Sequence, residues 1–389
     1  MDMSRSPFKY GSTVSQESFT NREEESAKLY NNLMQGIHTT IISPRRWGKS
    51  SLVEKVILDI QRKEKKVCTV VIDLFSSSSE EEFLELFARE VIKAASTKWE
   101  DWINMGKSFF KLLNPKMHVG INPSIDFSIQ FDWDELRKHK DEVLQLPELI
   151  AERKQLSFII CLDEFQNLAS YAGYEILEKK MRASWQRHKH VTYCFFGSKR
   201  HMMTEIFNNA SKPFYRFGDI LILPKIKEEK WIKFIVTGFK TSGKKISPKI
   251  AQMIPELMKN HSWYVQQLAH YSWQKTDKEA DKDTIIAALD ELIYANTPLY
   301  EKEVETISST QVNLIKAIVH GESKLTAAAT MQRYKLGTPR NVSKNRDALI
   351  KGDMIHEAGG RYELLDPAFE LWFKKRYFNV DFLQSDQLP

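Results

Sequence analysis

Cysteine is scarce in this 389-residue chain: Cys68, Cys161 and Cys194 lie far apart, and none has the spacing of a metal-binding pair. Each sits in an apolar, strand-like run where a thiol behaves as a small hydrophobe, so buried, inert thiols are expected. Long hydrophobic runs are missing as well. No stretch of eighteen apolar residues occurs, so no transmembrane helix is expected. The N-terminal MDMSRSPFKYGS is polar and has no apolar stretch, which argues against a secretory signal, and a cytoplasmic location is the expectation.

What is present is ordinary for a folded protein: 42% hydrophobic and 28% charged residues. The length predicts two or three domains. The net charge of +6 is modest, but it is unevenly spread. Arg333, Lys335, Arg340, Lys344, Arg346 and Lys351 face only Asp347 within residues 333–351, a local excess suited to an acidic partner.

The strongest single signal is Ile41–Leu52, IISPRRWGKSSL, where an apolar run breaks at a turn and a helix begins. The pattern G-x-x-x-x-G-K-[ST] describes a loop whose amides cradle phosphates, whose Lys reaches the β/γ oxygens and whose Ser/Thr hydroxyl holds Mg²⁺. Gly48, Lys49 and Ser50 fit, whereas Ser43 stands where the first glycine belongs. A strand Thr39–Ile42, a helix from about Lys49 to Lys63 and a second strand Val67–Leu74 supply the expected context. A phosphate there would meet Ser43, Pro44, Arg45, Arg46, Trp47, Gly48, Lys49, Ser50 and Ser51 at the positive end of a helix. The alternative is a basic turn before an ordinary helix.

Downstream, Ser76–Ser79 reads as a turn and cap before an amphipathic helix Glu80–Ala95. Residues 98–135 form an insertion, a helix and then a two-stranded excursion carrying Ile121, Ile125, Phe127 and Ile129, before helix resumes over Leu136–Lys154. Ser157–Asn167, SFIICLDEFQN, places five apolar residues ahead of two carboxylates. A buried parallel strand reads in this way, and ligands of parallel sheets gather beyond the strand carboxyl ends. Asp163 is then a candidate to hold Mg²⁺ with Ser50, and Glu164 to polarise an attacking water; a solvated strand end is the plainer reading. The strand Val191–Phe196 delivers Ser198, a candidate γ-phosphate sensor or simply a cap for the helix His201–Phe207, and a fifth strand covers Asp219–Leu223.

The ordered set FTNREEE (19–25), SPRRWGKSS (43–51), CLDEFQNL (161–168), GSKRHMM (197–203) and KPFYRFG (212–218) resembles the AAA+/STAND-type P-loop ATPases, in particular the prokaryotic group called archaeal ATPases. That resemblance implies an α/β fold: a P-loop NTPase core with a parallel sheet flanked by helices over residues 1–224, a helical lid over 225–299 and a winged helix-turn-helix domain over 300–389. It places Phe19, Asn21 and Arg22 near adenine and makes Ser198 the polar sensor. Arg216 becomes a candidate arginine finger, acting in cis or in trans within a homo-oligomer, or an exposed Arg packed on its neighbours. ATP or ADP and Mg²⁺ are the implied ligands.

Around Pro298–Tyr300 the rhythm changes, and this reads as a domain boundary. Helical patterns at Ser308–Val319, Leu325–Tyr334 and Asn341–Lys351 precede a hairpin with Gly359-Gly360 at its tip, and a closing helix begins near Asp366. In a DNA-binding member the third helix would present Arg340, Asn341, Lys344, Asn345 and Arg346 to duplex DNA; in other members such a domain meets protein partners. Two functions stay open. One is an ATP-hydrolysing molecular switch, and the other a DNA-binding protein in which ATP is structural or regulatory. A phosphoryl transferase would need an acceptor pocket, and no motif supplies one.

Overall fold

The computed structural model describes residues 5–11, 22–110, 112–113, 115–120, 122 and 126–380. The chain divides into two compact units: residues 22–45 with 49–223, and residues 46–48 with 224 onward and the N-terminal segment.

The first unit is built on β1 Thr39–Ile42, β2 Val67–Asp73, β5 Ser157–Asp163, β6 Val191–Gly197 and β7 Asp219–Ile222, all parallel, in the order β2-β5-β6-β1-β7. A separate antiparallel pair, β3 Lys116–His118 and β4 Ser128–Gln130, lies in the insertion. Central β1 and β6 are buried at every position, as a strand covered by helices on both faces must be. Edge strand β2 alternates instead and leaves Val71 exposed.

Helices fall where local chemistry starts them. Ser79 accepts a hydrogen bond from the Glu82 amide at 3.2 Å, and three glutamates occupy the first turn of Glu80–Ala94. Asp132 caps Trp133–Lys154 through the Asp134 and Glu135 amides, three residues earlier than the hydrophobic pattern alone marks. In the insertion the helix is Trp99–Phe109, and Trp102 packs on Phe127 at 5.1 Å between ring centres. Phe127 and Ile129 are buried, whereas Ile121 and Ile125 lie outside the described residues.

Gly218 enters β7 with φ +107°, and a Cβ there would lie 2.1 Å from the His38 carbonyl oxygen. Gly218→Ala should therefore destabilise the protein by about 3 kcal/mol, through strain and clash together. Denaturant unfolding with an unchanged slope would measure it.

The second unit contains the helices Glu228–Thr241, Pro248–Leu257, Ser262–Lys275 and Lys282–Glu305, with a short parallel pair, β8 Lys245–Ile246 and β9 Glu279–Ala280. Lys282–Glu305 runs as one helix through the boundary expected at Pro298–Tyr300. Proline removes one helical hydrogen bond. Asn296 and Thr297 donate from their side chains to the Leu292 and Ile293 carbonyls at 2.8 and 2.9 Å, and burial of Tyr300 anchors the far side. Three helices follow, Ser309–Val319, Ala328–Arg333 and Pro339–Lys351, then the hairpin of β10 Ile355–Ala358 and β11 Arg361–Leu364, closed by Gly359-Gly360. The last helix, Pro367–Phe378, buries Phe369, Trp372 and Phe373. Among the described residues no helix is long and apolar enough to cross a membrane.

Candidate functional site

Parallel pairing brings the carboxyl ends of β1, β5 and β6 to one edge of the sheet, with Ile42 opposite Gly197 and Leu162 opposite Phe195. Each strand ends in a polar residue that apolar packing cannot use. After β1 comes Ser43, at the end of β5 Asp163 and then Glu164, and after β6 Ser198. Ligands of open parallel sheets are bound at this edge.

The loop after β1 leads directly into the helix Lys49–Lys63. Left-handed φ values occur at Arg46 (62°) and Gly48 (89°) but not at Ser43, so a side chain at position 43 carries no backbone penalty. This accounts for serine in place of the first glycine. Ser43 is buried, with its hydroxyl donating to the Pro44 carbonyl at 3.1 Å. Lys49 is only 6% exposed, and its ammonium donates to the Ser43 and Pro44 carbonyls at 3.1 and 2.9 Å. A buried cation at the start of a helix is suited to anionic oxygens. Ser51 is buried on the same helix.

The Ser50 hydroxyl donates to Asp163 Oδ2 at 3.2 Å, bringing the predicted pair together. Burial raises the Asp163 carboxyl from its usual 3.8 to about 6, aided by the charges of Glu164 and Asp73 and opposed by the Glu164 amide and Ser50. A hydroxyl and a desolvated carboxylate are hard oxygen donors, and they fit a small divalent cation.

Glu164 is held in a left-handed conformation, φ 51°, immediately after β5. Its Oε2 accepts from the Ser198 amide at 3.2 Å, from the Ser198 hydroxyl at 2.8 Å and from Gln166. Arg45 is exposed and donates from Nε to the Ser198 hydroxyl at 3.3 Å. Sequence reasoning missed Gln166. The signal was Gly197 at the end of an apolar strand: a Cβ there would stand 1.8 Å from Gln166 Oε1, so glycine makes room for the residue that positions Glu164.

Other candidates stand apart. Arg22 is buried and paired with Glu25 at 3.1 Å, while Phe19 and Asn21 lie outside the described residues. Arg216 is exposed, with its guanidinium 5.2 Å over the adjacent Tyr215 ring. Arg46 and Trp47 group with the second unit. Arg46 Nη1 donates to the Tyr264 hydroxyl at 3.3 Å, and Trp47 meets His261 at 6.4 Å between ring centres. On Pro339–Lys351, Arg340, Asn341 and Lys344 are exposed. Asn345 is partly buried, and Arg346 is tied to Asp347 at 2.8 and 3.0 Å.

A family model described as a probable winged helix domain matches residues 298–375, beginning inside the helix Lys282–Glu305. No curated protein sequence matches the chain significantly. Among solved structures, a Walker-type ATPase of Pyrococcus abyssi aligns with TM-score 0.67 at 18% identity, covering 95% of this chain and 99% of its own. The ORC2 protein of Aeropyrum pernix, in its ADPNP and ADP complexes, aligns with TM-score 0.56 at 13% identity, covering 94% and 96%. At such identities the likeness is one of fold: a P-loop NTPase core with a parallel sheet flanked by helices, followed by a winged helix domain.

Proposed function

Taking a P-loop NTPase core with a C-terminal winged helix as the starting point, we propose that this chain binds ATP with Mg²⁺ and hydrolyses it, as a molecular switch of the archaeal-ATPase and STAND type whose nucleotide state controls what its lid and winged helix engage. The observation that carries the reading is the convergence of Lys49, Ser50, Asp163, Glu164 and Ser198 at one edge of a parallel sheet. Lys49 and the loop Ser43–Ser51 receive the phosphates. Ser50 and Asp163 would hold Mg²⁺, which supplies charge neutralisation at the β/γ oxygens. Glu164 orients the attacking water, Ser198 and Arg45 position Glu164 and the γ-phosphate, and Arg216 serves as an arginine finger from a second copy. The Walker-type ATPase and the nucleotide complexes of ORC2 support this reading by analogy of fold. The decisive test is ATP hydrolysis by the purified protein, with and without duplex DNA, beside Glu164→Gln.

The Asp163 carboxyl gives a pH signature. Metal needs the carboxylate, so Mg²⁺-dependent nucleotide binding should weaken as pH falls through about 6. The same raised pKa has the opposite sign for the metal-free fold. The folded protein keeps a proton that the unfolded chain releases near 3.8, so this one group lowers stability as pH rises from about 4 to about 6. Mg²⁺ titrations of a fluorescent ATP analogue between pH 5 and 8 check the first point, and Asp163→Asn should remove the dependence.

A second reading, DNA binding with ATP in a regulatory part, is favoured by the exposed Arg340, Asn341 and Lys344 on one helix of the winged domain. Residues four apart share a face, so Arg340 and Lys344 would meet one backbone together. The triple change to Ala at Arg340, Lys344 and Arg346 should reduce the salt slope of duplex binding by about two, since Arg346 is already paired with Asp347. A slope near zero in the wild type would point to protein partners.

A further inference from the structure

Arg46 sits within the phosphate loop, yet its side chain is committed elsewhere. Its guanidinium stacks 4.8 Å over the Trp263 ring and donates to the Tyr264 hydroxyl at 3.3 Å. Tyr264 is 1% exposed. Its hydroxyl lies 3.3 Å from that of the fully buried Tyr300 and donates to Asp366 Oδ2. The other carboxylate oxygen of Asp366 accepts from the Phe369 amide at 2.8 Å and so caps the closing helix Pro367–Phe378. A continuous chain of contacts thus runs from the loop guanidinium through a phenol and a carboxylate to a helix amide more than three hundred positions away.

Arg46 is one of several groups that favour the charged form of two nearby carboxylates. Burial raises the Asp366 carboxyl, and Arg46 acts against it together with Tyr264 and the helix amides. Glu303 is likewise raised, by burial and by Asp366, and lowered by Arg46. One exposed arginine therefore stabilises two desolvated carboxylates. It does so from a left-handed backbone, φ 62°, a conformation that non-glycine residues seldom adopt. A guanidinium bonded to a neutral phenol is weakly engaged: its bonds to phosphate oxygens are roughly twice as strong and can be bidentate.

We propose that Arg46, Tyr264 and Asp366 form a latch by which the phosphate loop secures the first turn of the closing helix, and that a triphosphate bound at the loop draws the guanidinium away and releases that helix. The release rests on the nucleotide reading above; the latch does not.

The full chain without nucleotide tests the latch itself. Hydrogen exchange at residues 369–373 is followed in the wild type, in Arg46→Met, which changes an exposed side chain, and in Tyr264→Phe, which deletes one oxygen. Both variants should exchange at least five times faster there, while amides of β1, β5 and β6 exchange as in the wild type. The double variant should be no faster than the faster single, as coupled residues require. Equal exchange in the wild type and Arg46→Met overturns the latch. Asp366→Asn keeps an acceptor for the Phe369 amide, so fast exchange in that variant assigns the effect to the charge rather than to the cap. Adding MgATP should accelerate exchange at 369–373 in the wild type and leave Tyr264→Phe unchanged. ATP bound with no change in the wild type overturns the release. A wild type that binds no ATP overturns the nucleotide reading and the release with it, while the nucleotide-free comparison still decides the latch.

Discussion

Lys49→Ala is expected to weaken ATP binding at least about 100-fold, the equivalent of roughly 3 kcal/mol, while the protein stays folded. The ammonium is buried and held by the Ser43 and Pro44 carbonyls, so its present partners are dipoles of the loop that would receive the phosphates. Removing it takes away the cation best placed for β/γ oxygens. Its loss also frees two carbonyls, and the loop is expected to relax. The cost to folding is small, because a cation at a helix start opposes the helix dipole and its removal returns part of what the lost hydrogen bonds contributed. Calorimetric titration with ATP analogues, beside a thermal midpoint within a few degrees of wild type, would separate a lost ligand from a lost fold. Unchanged affinity would remove the loop from the nucleotide site.

Much of this site was legible because its residues carry their signals in the chain itself. Gly48-Lys49-Ser50 follow an apolar run, and Asp163-Glu164 end another; parallel pairing does the rest, since strands of this kind converge at their carboxyl ends. The helix expected from about Lys49 to Lys63 spans Lys49–Lys63. Ser43 was legible as a departure, and only the backbone explains it: the left-handed positions of the loop are 46 and 48. Gln166 was marked only indirectly, by Gly197, and its part depends on the space that this glycine leaves across a strand pair. The tie between Arg46 and Tyr264, 218 positions apart, was illegible, since no periodicity exists for it. Pro298 marks where the winged helix match begins, yet the helix Lys282–Glu305 continues through it, because burial of Tyr300 outweighs a single lost helical bond.

Glu164→Gln should leave ATP affinity within a few-fold of wild type and lower turnover by at least about 100-fold, the usual weight of a group that orients or deprotonates an attacking nucleophile. The substitution is discriminating because of where Glu164 is held. Its Oε2 accepts from the Ser198 amide and hydroxyl, and a glutamine carbonyl oxygen can accept the same bonds. A purely structural Glu164, serving to tie β5 to β6, would thus be replaced almost silently by Gln. A Glu164 that handles water would not, since Gln lacks the negative charge that draws a proton from the water as its oxygen approaches the γ-phosphate. Ser198→Ala offers the converse control. It removes one hydroxyl from Glu164 and from Arg45 while the amide bond remains, so a smaller loss, about tenfold, is expected if Ser198 only positions the carboxylate. No turnover in the wild type, with ATP binding lost in Lys49→Ala, would leave a nucleotide-binding module whose Glu164 carboxylate is architectural. The DNA-linked reading would then become the stronger one, because nucleotide would act on the winged domain by occupancy alone.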